Sequence, residues 1–262
     1  MKSFLSAGVG IVIYFSLCSS SLRAQPGSLD FTFNPGSGAG GTVPYVDCVA
    51  IQTNGQILIG GDFTTYNGMN RTRLARLNTD GSLDTSFDPG VGPDATVNVI
   101  TLQPDGEILI GGNFSLLNNV PWDHLARLRS DGSVDISFDA SDANGGGVRN
   151  SGYVYALAAQ PDGKVIVGGS FTQFGRTNLN NIGRFNTNGT ADATFNPGSG
   201  ANNPVYALGL QSSGQIIAGG SFTSINNSNR NYLVRLHTDG SVDGSFNALI
   251  QDGNVQSLVV TP

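Results

Sequence analysis

Residues Gln160 to Phe171 read QPDGKVIVGGSF, and the chain writes this phrase four times. The other copies are QPDGEILIGGNF from Gln103, QTNGQILIGGDF from Gln52 and QSSGQIIAGGSF from Gln211. Each ends in a Gly-Gly pair, one residue and a Phe: Phe63, Phe114, Phe171 and Phe222. Two further landmarks follow every copy. One is an LARL-like run starting at Leu74, Leu125, Ile182 or Leu233; the other closes at Phe87, Phe138, Phe195 or Phe246.

From Gln to Phe is 11 residues, from that Phe to the next Leu or Ile is 11, and from there to the last Phe is 13, in all four copies. Only the link from the last Phe to the next Val varies, between 9 and 16 residues. A fixed interior with one elastic link is the mark of stacked supersecondary units whose variable loop lies outside the packing.

Each unit holds four strand-like runs; in the third they are VYALAAQ, KVIVGGSF, NIGRFN and TADATF. Three-residue loops ending in Gly, such as Pro161-Asp162-Gly163 and Thr187-Asn188-Gly189, suit hairpins with a left-handed last residue. The second run is apolar almost throughout, as in a strand covered on both faces. Four short antiparallel strands per unit, stacked face to face, define an all-β β-propeller of four-stranded blades. The blades span 46–87, 97–138, 154–195 and 205–246, with partial strands at 27–34 and 255–262. The paired glycines then let a neighbouring blade approach closely, and the recurring phenylalanines fill the space between blades.

QPDGKVIVGGSF and LARLNTDGSLDTSFDPG, with their copies, resemble the delta-60 repeat, a bacterial propeller repeat of uncharacterised function. The resemblance covers residues 27–262. In outline the pattern is also similar to kelch repeats, though the kelch Tyr and Trp positions are absent. The delta-60 resemblance implies secreted or cell-surface proteins and supplies no catalytic residues.

The N-terminus reads as an export signal over residues 1–24: Lys2, an apolar core, then SSSLRAQ, with cleavage after Ala24. A membrane anchor is the rival reading, but the apolar run is short for a bilayer. The expected location is secreted or cell surface, with no membrane insertion after cleavage. The net charge of −6, with no basic run, argues against nucleic acid as a partner. Cleavage leaves one cysteine, Cys48, aligned with Val99, Ala156, Ala207 and Ser257. It is read as a small packing residue, since a lone thiol makes neither an internal disulfide nor a metal cluster. The chain opens on an isolated fourth strand and closes on an isolated first one. The expectation is a fragment of a larger propeller, its four blades set in an arc or imperfect ring as a monomeric repeat array.

An Arg and an Asp eight residues apart recur in every blade: Arg76 with Asp84, Arg127 with Asp135, Arg184 with Asp192, and Arg235 with Asp243. The hairpin between them sets each pair opposite, so they read as structural ion pairs. Neither His124 nor His237 belongs to a zinc-type spacing, the PDG loops offer too few oxygens for calcium, and no GxSxG elbow occurs. No cofactor, metal or catalytic residue is assigned.

Residues that break the repeat are the better candidates for function. Trp122, the only Trp, aligns with Arg71 in the loop between the second and third strands. With Asp123, His124, Arg71, Arg176 and Arg149 it forms the candidate ligand-binding set, on loops of one rim. Trp122 reads equally well as an exposed binding face or as a local cap on Leu116 or Leu117. The expected function is a non-enzymatic binding or adhesion scaffold for a glycan or a surface protein. The alternatives are a polysaccharide-active enzyme with carboxylates at the propeller centre, or a spacer in a larger surface protein. Two carboxylates within about 10 Å of each other in a central funnel would favour the enzyme.

Overall fold

The computed structural model describes residues 29–140, 148–149, 152–174 and 180–261, with backbone alone at 148, 149 and 174. The leader expected over 1–24, residues 27–28 of the first partial strand, Arg176 and most of the insertion before Tyr153 lie outside the described residues. Residues up to Asn34 form a unit of their own. Within it, residues 29–34 hold a turn and no strand: the Thr32 amide donates to Asp30 Oδ1 at 2.9 Å.

From Pro35 onward the chain builds, beside smaller loop ladders, one antiparallel three-stranded sheet per blade in simple up-and-down order, four in all. They comprise β1 (Tyr45–Ile51), β2 (Ile57–Asp62) and β3 (Leu74–Leu77); β4 (Val97–Leu102), β5 (Ile108–Gly112) and β6 (Leu125–Leu128); β7 (Tyr153–Ala159), β8 (Val165–Ser170) and β9 (Ile182–Phe185); and β10 (Val205–Leu210), β11 (Ile216–Gly220) and β12 (Leu233–Leu236). The first strands of successive sheets, β1, β4, β7 and β10, pack side by side. The described residues include no helix.

The fourth run of each blade is shorter than its sequence pattern implies. It contributes one bridge: Leu77 with Leu83, Leu128 with Val134, Phe185 with Ala191, and Leu236 with Val242. The Asp that follows takes the amide and hydroxyl two residues on, as in Asp84 with Ser86 at 2.9 and 2.7 Å. That local bond competes with the ladder and bends the chain into a turn. Asp30 with Thr32 repeats the device.

The two glycines of each pair serve different contacts. A Cβ on the first (Gly60, Gly111, Gly168 or Gly219) would overlap a valine of the next repeat: Val97, Val154, Val205 or Val255. A Cβ on the second (Gly61, Gly112, Gly169 or Gly220) would overlap the carbonyl oxygen of Tyr45, Thr96, Tyr153 or Pro204, at or just before the start of its own first strand. The second glycine therefore admits a β-bulge, and register shifts by one residue there in every blade. Phe63, Phe87, Phe114, Phe138 and Phe222 have no exposed surface, each burial being worth roughly 1.5–3 kcal/mol. Val97, Val154 and Val205 are likewise fully buried, whereas Val46, Val49 and Ile51 on β1 lie exposed. Residues 255–261 form no ladder, yet Val255 reaches Gly219 and its amide donates to Gly220 O at 3.1 Å.

Each Arg–Asp pair is closed: Arg76 Nε to Asp84 at 2.7 Å, Arg127 Nη2 to Asp135 at 2.6 Å, Arg184 Nε to Asp192 at 2.7 Å and Arg235 Nε to Asp243 at 2.8 Å. Each guanidinium also lies 4.8–5.0 Å from the ring centroid of its blade's last Phe, a cation–π contact. Three of the arginines reach into the following blade, donating to Ser130 O, Thr187 O and Thr238 O. Arg235 keeps the pair but is 24% exposed, against 8–11% for the others. Burial alone would raise Asp84, yet bonds from Ser86 and Arg76 outweigh it and bring its carboxyl down to about 2.

Candidate functional site

The bulge decides where the site lies. The extra residue in each first strand is Asp47, Asn98, Tyr155 or Tyr206. These four, with Gln256 at the same place in the last repeat, line one cavity of about 420 Å³. Val97, Val154 and Val205 before it are buried, and Cys48, Val99, Ala156 and Ala207 after it are packing residues, so the repeat fixes where this side chain goes and leaves its chemistry free. The result is an uneven ring of one carboxylate, two amides and two phenols.

Tyr155 and Tyr206 stand with ring centroids 5.4 Å apart and planes at 57°. Burial, then Tyr206 and Tyr153, push the Tyr155 hydroxyl above its ordinary pKa. Asn98 Nδ2 donates to Asn113 Oδ1 at 2.7 Å and to Val154 O at 3.0 Å, tying the second blade to the third. Gln256 Nε2 donates to Asn254 Oδ1 at 2.6 Å. The Asp47 carboxyl is raised by burial and then by Asp62; Asp62 itself is held by Arg73 Nε at 2.9 Å. Cys48, beside Asp47, packs against the second blade, and burial pushes its thiol up to about 12.

The loop residues singled out in the sequence occupy other places. In three blades the loop between the second and third strands folds into a small hairpin: 65–66 with 69–70, 116–117 with 120–121, and 224–225 with 228–229. Each first hairpin segment pairs with the linker entering its blade; Val148–Arg149 pairs in the same way with Gln173–Phe174. Trp122 is 6% exposed and belongs to the core cluster that contains Leu117, the cap arrangement. Its edge borders a shallow groove of about 360 Å³ with Val120, Val134 and Ile136. Arg71 folds back to donate to Asn70 O. Asp123 and His124 both have positive φ, and burial lowers the His124 pKa. His124 meets Tyr153 edge-on at 6.3 Å, and Tyr153 in turn meets Tyr155. Ring contacts thus link one candidate loop residue to the cavity; Trp122 and Arg71 are not among its lining residues.

A model of the family described as "Domain of unknown function (DUF5122) beta-propeller" matches residues 52–87, 103–138, 160–195 and 211–246. These segments together make up more than half of the chain, and each runs from a Gln landmark to the last Phe of a blade. No curated protein matches in sequence. Among solved structures, the WD40 beta propeller domain of Doa1 aligns with a TM-score of 0.52 at 16% identity, covering 81% of this chain and 56% of that one. Virginiamycin B lyase from Staphylococcus aureus aligns with a TM-score of 0.45 at 17% identity, covering 74% and 53%. The chain spans little more than half the length of these structures, and at 16% identity the likeness to the Doa1 domain is one of fold alone.

Proposed function

The chain belongs to the DUF5122 β-propeller family, and we propose that it is an exported, non-enzymatic scaffold that binds its ligand in the central cavity. The observation that carries this reading is the convergence of five side chains of four residue types at one repeated bulge position. A structural position repeated five times would be expected to keep one residue type; this one ranges from carboxylate to amide to phenol, while the residue before it is Val in every repeat and the one after it is Cys, Val, Ala or Ser. Concave sites with a few convergent polar groups are the usual place for ligands. The cavity lining holds a single carboxylate, Asp47, which favours binding over two-carboxylate hydrolysis. The delta-60 resemblance and the leader-like N-terminus support a secreted or cell-surface setting. A glycan or a segment of a surface protein is the ligand class such a cavity would serve.

The test uses the whole mature chain, titrated by NMR and calorimetry with a panel of oligosaccharides and peptides. At least one class should bind, and the Tyr155→Ala/Tyr206→Ala variant should lose it. Ile136→Ser, in the groove beside Trp122, should leave it unchanged. Binding that survives loss of both tyrosines would overturn the proposal, as would polysaccharide cleavage abolished by Asp47→Asn. Mass spectrometry of exported protein should find Gln25 as the first residue.

A further inference from the structure

We infer that the central cavity takes an organic cation, an alkylammonium or guanidinium group, rather than a neutral sugar. This rests on the proposed reading of the cavity as a binding site and adds the ligand's chemistry.

The inference follows from which hydrogen-bonding groups remain free. Asn98 spends its amide nitrogen on Asn113 Oδ1 and on Val154 O. The second acceptor is a backbone carbonyl, so the amide's orientation is fixed and only Oδ1 is left toward a ligand. Gln256 commits a donor to Asn254. Asp47 is acceptor-only when ionised, and among the described residues no side chain bonds or pairs with its carboxylate. Arg73, the cation held beside its neighbour Asp62, is also bound to Pro93 O. The lining therefore offers mainly acceptors together with a pair of tyrosine rings.

A sugar hydroxyl both donates and accepts, and would find few donors here beyond the two phenols. An ammonium or guanidinium only donates. It is also attracted by the negative face of an aromatic ring. A carboxylate and a pair of tyrosines in one lining satisfy both needs. The chain's net charge of −6 adds a long-range field of the same sign.

The probes are N-acetyl-lysine methylamide, its neutral norleucine counterpart, a tetralysine peptide and two neutral oligosaccharides, maltotetraose and chitotetraose. The lysine derivative should bind and the norleucine one should not. Asp47→Asn and Tyr155→Leu should each weaken binding by about tenfold, while Tyr155→Phe should stay within about twofold, because it keeps the ring face. Thermal melts of each variant separate loss of the site from loss of the fold. Tetralysine binding more than about fourfold tighter than the monomer, beyond its statistical advantage, marks a basic segment of a partner protein as the source; equal affinity marks a small amine. If a neutral oligosaccharide binds through Tyr155 and no cation does, the cation inference falls and the binding site stands. If no probe binds, both fall.

Discussion

The second and third blades place the same ion pair in opposite charge settings. In the third, Lys164 Nζ joins Arg184 on Asp192 Oδ2, at 2.8 and 2.7 Å. The first and fourth blades put Gln56 and Gln215 at the Lys164 position, each donating to its own Asp. The second blade puts Glu107 there, the only Glu in the chain. Glu107 Oε2 is buried with no hydrogen-bond partner among the described residues, and burial, then Asp135, raises its pKa. This blade alone has Arg129 on the far side, 3.0 Å from Asp135 Oδ1, where the others carry Asn78, Asn186 and His237. The Arg–Asp pair is the fixed part of the blade. Its third neighbour is free to change sign provided another charge balances it.

The widest separation between the two blades should come from removing the arginine. Arg127→Met leaves Asp135 and Glu107 together with Arg129 alone, and also loses the bond to Thr187 O in the next blade. Breaking a buried pair costs about 3–5 kcal/mol, and the full range is expected here. Arg184→Met loses the bond to Thr238 O but leaves Lys164 on Asp192, so about 2–3 kcal/mol is expected. Urea denaturation of both variants checks the order. Equal losses would mean that the third residue does not matter.

The blade was legible in the sequence because its interior lengths do not vary, and a three-residue turn fixes which Arg faces which Asp. The site was less legible. Asp47, Asn98, Tyr155 and Tyr206 sit inside runs such as VDCVAI and VYALAA, which read as plain alternation. The bulge that aims them comes from a backbone contact with Gly61 and its equivalents, not from any property of the residue itself. The available signal was a position that varies from Asp to Tyr between an invariant Val and a Cys, Val, Ala or Ser. Trp122 is the more conspicuous residue in the sequence, the single Trp, on a loop. Its burial followed from the small hairpins, whose tips are Asn- and Gly-rich and resemble irregular loop. The fourth run's shortness was also written, as Asp-x-Ser/Thr in every blade, but its alternating pattern imitates a strand.

Exchanging the charges tests the comparison directly. Lys164→Glu turns the third blade into the second without its balancing Arg, and should cost about 1–2 kcal/mol, most of it like-charge repulsion in a partly covered site. Adding Asn186→Arg, at the position of Arg129, should return about 0.5–1 kcal/mol. The double-mutant cycle isolates that coupling. A coupling near zero would show that Arg129 is incidental in the second blade.

The smallest effect is expected from Glu107→Gln, and its pH dependence is more informative than its size. Glu107 is raised above its ordinary 4.5. Its protonated form therefore favours the fold below 4.5, and that contribution is lost as pH rises through the raised folded value. Gln cannot ionise, so the variant should match the parent at low pH and exceed it near neutrality by about 0.5–1 kcal/mol. Asp192 has the opposite sign. Burial opposes its ionisation, but Lys164, Thr194 and Arg184 hold the carboxyl well below its ordinary 3.8. Its stabilisation is present above 3.8 and lost only as pH falls through the lower folded value. Lys164→Gln should accordingly weaken the fold at neutral pH and matter least in strong acid. Melting temperatures of the two variants, taken from acid to neutral pH, should thus diverge from the parent in opposite directions as pH rises. Parallel curves would show that the two carboxyl groups do not feel their blade's third residue.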